Sequence, residues 1–103
     1  MKVPLLTLAL IASTSVAYAD TTSFGNELGN LLASESVCGL KYRRGAIQEL
    51  VRKQVGGDMV EFATTLSLLT SNAAFTIHRM SASAQAAHCA QMRVEAKALG
   101  FLD

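Results

Sequence analysis

The sequence contains no tryptophan, and its single proline is Pro4. Nothing after Pro4 therefore forbids a helix, since proline alone both lacks the amide proton and clashes with the preceding turn. Asn-Gly and Asp-Gly pairs, the strongest short signals of a β-hairpin, do not occur. There is no Cys-x-x-Cys, which removes a thioredoxin-like redox motif. Neither sign of charge dominates: nine Lys and Arg stand against eight Asp and Glu. A chain so balanced has no general electrostatic claim on nucleic acid or on an anionic lipid surface. The one basic cluster, Lys41 to Arg44, reads as a solvated loop or helix start rather than an anion site. Phosphate-binding glycine loops, G-x-S-x-G elbows and histidine–carboxylate metal motifs are missing. The glutamates are scattered and show no acid–base pair. No residue constellation calls for a cofactor or supports a stand-alone enzyme.

What is present begins with "MKVPLLTLALIASTSVAYAD". Lys2 is a short positive start, Val3 to Ala12 an uncharged and mostly apolar run, and Ala17-Tyr18-Ala19 a small-x-small site. That is the pattern of a secretory signal peptide over residues 1–19, cleaved between Ala19 and Asp20. The apolar run is shorter than the roughly 20 residues a bilayer span needs. No cysteine follows the cleavage site, so a lipid anchor is not indicated, and no Arg pair precedes the run. The expected destination is the periplasm, or secretion. Removing nineteen of the 103 residues leaves a single domain over 20–103 that is electrically neutral, because Lys2 departs with the leader.

Both cysteines, Cys38 and Cys89, lie in the mature part. An oxidising compartment turns paired thiols into disulfides, and two cysteines allow one intramolecular pairing. A bridge closing a loop of about 50 residues contributes roughly 4 kcal/mol through loop entropy, comparable to the net stability of a small domain. The competing readings are weaker. Neighbours on a helix, such as His88 and Cys89, point about 100° apart, which suits neither a thiol–imidazole pair nor two metal ligands. Cys38, His78, His88 and Cys89 match no zinc-finger or ribbon spacing.

Four segments carry the 3.6-residue period of amphipathic helices. The first, about Ser23 to Val37, places Phe24, Leu28, Leu31 and Leu32 on one side, with Ser23 as N-cap. Its row Gly25, Gly29, Ala33 lets a neighbour pack closely. The second, about Arg43 to Val55, gathers Ile47, Leu50, Val51 and Gln54 and ends at Gly56-Gly57. Asp58 caps the third, with Glu61 at capping-box spacing. The third, about Met59 to Met80, has the stripe Met59, Phe62, Leu66, Leu69, Ala73, Ile77 and Met80. The fourth starts at a cap on Ser81 or Ser83, carries Cys89, Met92, Ala96 and Leu99 inward, and stops at Gly100. Phe101 and Leu102 are expected to fold back as a short apolar tail, and His88 to sit at the boundary of the buried stripe. The fold class is thus all-α, a four-helix domain stapled by one disulfide.

The third helix poses a choice. From Phe62 to Ile77 it has no charged residue, and Leu68 and Phe75 project roughly opposite its main stripe. Seven of those 16 residues are Thr, Ser or Asn, so the run is not a membrane span. Either the helix is sandwiched centrally, which is the expectation, or Leu68 and Phe75 form an exposed interface.

The triplets Cys38-Gly39-Leu40 and His88-Cys89-Ala90, on an exported four-helix chain of this size, resemble a group of small uncharacterised exported two-cysteine helical proteins of proteobacteria. The resemblance covers most of the mature chain and implies the disulfide and the helical fold, without an activity. In layout the chain is also similar to the HdeA-type periplasmic acid chaperones. Those carry an aromatic just before the first cysteine, where this chain has Ser36-Val37, and are richer in charge. Acid sensing would rest on His78, His88 and the carboxylates. The functional expectation is a non-enzymatic binding or stress-protective protein acting through helix surfaces, with a protein partner or self-association. The alternative is an accessory subunit or regulator of an envelope enzyme or secretion assembly. Protein recovered from the cell envelope should begin at Asp20 by N-terminal sequencing and, denatured without reductant, should offer no free thiol to a labelling reagent. A retained leader, or two reactive thiols per chain, contradicts this reading.

Overall fold

The computed structural model describes residues 20–103, and the expected signal peptide over 1–19 lies outside the described residues. Four helices follow in order among them, with no strand: α1 Asp20–Val37, α2 Arg44–Val55, α3 Met59–His78 and α4 Ala82–Ala98. The local signals account for most of the boundaries. The Asp58 carboxylate accepts a bond from the Glu61 amide at 3.2 Å and so satisfies one of the orphan donors that open α3. Ser81 does the same for α4 through the Ala84 amide. Gly56, at φ 77°, stops α2 in a conformation that costs any other residue strain. Ser23, expected as a cap, lies inside α1, because the helix already runs from Asp20.

The centre of the molecule is α1, not α3. Leu28 and Leu31 of α1 are almost wholly buried, and α2, α3 and α4 all pack against this helix. The expectation that α3 is sandwiched is therefore corrected. Its stripe rests on α1 along one side, with Phe62 and Ile77 buried and Leu66, Leu69 and Ala73 half-buried, while the opposite side faces outward. Periodicity assigned the inner stripe well, but its ends fray. Met59 and Leu99 are 41% and 42% exposed, and Gln54 is exposed while Val55 turns inward.

The small-residue row on α1 permits this arrangement. A Cβ added to Gly29 would stand 3.2 Å from the Leu69 Cβ and 3.3 Å from both the Leu69 carbonyl carbon and the Thr70 amide nitrogen. A Cβ on Gly25 would meet only the ends of side chains, Leu69 Cδ1 at 3.2 Å and Phe62 at 3.7 Å. At Gly29, then, the backbone of α3 lies where a side chain of α1 would otherwise be.

The connections close the core from the other side. Both α1 and α4 end in a Schellman turn. In the first, the Leu40 amide bonds the Glu35 carbonyl and the Gly39 amide the Ser36 carbonyl; in the second, Phe101 bonds Ala96 and Gly100 bonds Lys97. Gly39 and Gly100 supply the left-handed residue at φ 67° and 81°. Each turn delivers an apolar side chain, Leu40 and Phe101, into the core around Leu28, Leu31, Tyr42, Met92 and Ala96. The two turns also join, since the Arg43 amide donates to the Phe101 carbonyl at 2.8 Å. The Tyr42 ring tilts against Phe101 at 5.5 Å between centroids, and its hydroxyl donates to the Leu31 carbonyl at 2.8 Å.

Substituting Gly29 with Ala should lower stability by about 1 kcal/mol, because overpacking costs about 1–3 kcal/mol while the gain in helix propensity returns about 1. Gly25→Ala should be neutral or slightly stabilising; denaturant melts of the two variants check the contrast. A second expectation concerns Tyr42. Burial first, then the nearby carboxylates of Glu35 and Glu95, push its hydroxyl up from 10.0 to about 12. A group whose folded value is raised stabilises the fold fully below its unfolded value and loses that contribution as pH climbs through the folded one. Stability should therefore fall between about pH 10 and about pH 12. Tyr42→Phe should flatten that alkaline edge while costing about 1 kcal/mol at neutral pH for the lost bond to Leu31.

Candidate functional site

Leu68 and Phe75 lie seven residues apart, two turns along α3, so they share one outward line. They are 63% and 64% exposed. Large apolar side chains this exposed cost hydration without repayment from the core. The residues around them do little to dilute them. Ala63, Thr64, Ser67, Ser71, Asn72 and Thr76 are exposed and uncharged. Two of the threonines are less polar than their names suggest. The Thr64 hydroxyl donates back to the Val60 carbonyl and the Thr76 hydroxyl to the Asn72 carbonyl, each at 3.2 Å. Their hydroxyls are thus turned onto the helix, leaving methyl groups to face outward. A shallow depression lies along this side, lined by Ala63, Thr64, Ser67, Leu68 and Ser71. Val60, 79% exposed, stands to one side of this line near the start of the helix. At the other end the Arg79 guanidinium rests 5.1 Å from the centre of the Phe75 ring.

The cysteines have a structural place. Cys38, at the end of α1, is bonded to Cys89 of α4, with Cα atoms 5.4 Å apart and 51 residues of separation. Beside the bridge, the sequence did not disclose one contact. Ser34 is fully buried, and its Oγ stands 2.8 Å from His88 Nε2 and 2.6 Å from the Asn30 carbonyl. The hydroxyl proton goes to the carbonyl, so Nε2 is the atom that donates to Oγ. That polarity is the reverse of a histidine activating a serine nucleophile. The pair ties α4 to α1 where the disulfide does. His78 is exposed at the end of α3 and does not join it. Among the described residues no three of His, Cys, Asp and Glu gather in a way that could hold a metal ion.

A second recess, a groove of about 410 Å³, opens between α1, the start of α3 and Val55 at the end of α2. Phe62 and Leu69 floor it, and Asp58 and Glu61 stand on its rim. Asp58 is already engaged in capping α3. Within the described residues, no helix is long and apolar enough to cross a membrane. Comparison with protein-family models, with curated proteins and with solved structures finds no match, so the site rests on its own geometry.

Proposed function

We propose that this chain is a small non-enzymatic binding or stress-protective protein of the periplasm, delivered there by its signal peptide and acting through the outer face of α3. The observation that carries the reading is the exposure of Leu68 and Phe75 at 63% and 64% within a 16-residue run free of charge. Surfaces that meet only water are normally interrupted by Lys or Glu, whereas apolar anchors with a neutral rim suit contact. The disulfide supports an oxidising compartment. Ser34 and His88 are occupied in joining two helices, which supports a binding rather than a chemical role.

Capture from envelope extract by the mature, oxidised protein, at neutral and acid pH, tests the proposal. Substituting Leu68 and Phe75 together with Ser should abolish capture and shift stability by no more than about 0.5 kcal/mol per residue, the range of ordinary surface changes. Capture that survives the double substitution, or a loss of several kcal/mol on melting, overturns it.

A further inference from the structure

We infer that the outer face of α3 docks on the same face of a second copy, with the two helices antiparallel, an inference that rests on reading this face as a binding surface. The placement of its charges sets this pairing. Residues on an α-helix turn by about 100° each, so Glu61, Leu68, Phe75 and Arg79 project within about 40° of one another. The face therefore has an acid at its beginning, a base at its end, about five turns between them, and no charge in the interval. Arg79 is held on this side by its contact with Phe75. Among the described residues neither Glu61 nor Arg79 takes part in an ion pair; those present join Arg43 to Asp103 and Arg52 to Glu49.

A face of this kind is complementary to itself in one direction only. Laid parallel, two copies would bring acid to acid and base to base. Laid antiparallel about a two-fold axis, each Glu61 meets the other copy's Arg79, and the pair occurs twice, as an isologous contact requires. The same register settles the sterics. It sets Leu68 against the second copy's Ser71 and Asn72, and Phe75 against its Thr64 and Thr65, so large residues face small ones. The depression lined by Ala63, Thr64, Ser67, Leu68 and Ser71 then receives the second copy's Phe75. A contact one helix long is at the small end of protein interfaces, where association is weak and reversible.

Sedimentation of the oxidised mature chain at low ionic strength, over a concentration series, reads the equilibrium directly. The wild type should pass from monomer to dimer, and the variant carrying Leu68→Ser and Phe75→Ser should stay monomeric. Glu61→Arg and Arg79→Glu should each weaken dimerisation by about tenfold, since two rim pairs turn repulsive at once, and the double reversal should restore it. Melting curves establish that every variant is folded. A wild type that is monomeric at the highest concentration overturns the self-pairing; if the serine variant then still loses capture from extract, the face remains a binding surface for another protein. A dimer that persists in the serine variant overturns self-pairing through this face, and capture from extract then decides separately whether the face binds another protein. Charge reversals without effect, or without mutual rescue, overturn the antiparallel arrangement.

Discussion

Gly29 is where α3 comes down on α1, and the other helices are arranged around that contact. With no side chain at this position, the α3 backbone settles against α1 through Leu69 and Thr70. The inner stripe of α3 is then covered chiefly by α1, with α2 touching it only lightly. A helix so seated has to leave its far side uncovered. Exposure of Leu68 and Phe75 is in that sense a consequence of a glycine on a different helix.

The opposite side of α1 is closed by irregular segments as much as by helices. α2 contributes no fully buried residue, only the half-buried Ala46, Ile47, Leu50, Val51 and Val55. The deepest side chains outside α1 include Phe101, which lies beyond the last helix, and Tyr42 and Leu40 lie in the connection before α2. The Schellman turns at Gly39 and Gly100 deliver them. Covalent closure then runs from Cys38, at the first turn, to Cys89 in the middle of α4, with Ser34 and His88 adding a directional bond beside it. A small domain thus concentrates its non-apolar fastenings on one pair, α1 and α4, which otherwise share only a modest apolar contact.

What the sequence disclosed follows the range of the forces involved. Caps and stops act over three or four residues, so Asp58, Gly56 and Gly100 were legible in place, and the cap of α4 was narrowed to Ser81 or Ser83. The disulfide was legible because two thiols in an oxidising compartment leave one intramolecular choice. The apolar stripes were legible as directions, but a stripe does not name what it faces. The rank of α1 over α3 turned on close approach at Gly29, and the row of small residues showed only that some neighbour could come near. Ser34 and His88 are separated by 54 positions, and each taken alone is an ordinary helix residue. Gly39 was open to the same argument as Gly100, since both stand two residues beyond a helix end and precede a residue destined for the core. The outer face of α3 was legible as a chemical anomaly, while its exposure was a question of packing.

The lack of charge between Phe62 and Ile77 also fixes how this surface is met. Opposite charges at Glu61 and Arg79 cancel at a distance, so the face projects almost no field into solvent. Nothing draws a protein toward it beyond diffusion, and encounters proceed at the unsteered rate of about 10⁵–10⁶ M⁻¹s⁻¹. On the proposed reading of this face, discrimination among the proteins that collide with it resides in dwell time, in how long Leu68 and Phe75 stay covered before water returns. On that reading the surface forms short-lived contacts with many passers-by and long ones only with a shape that fills it.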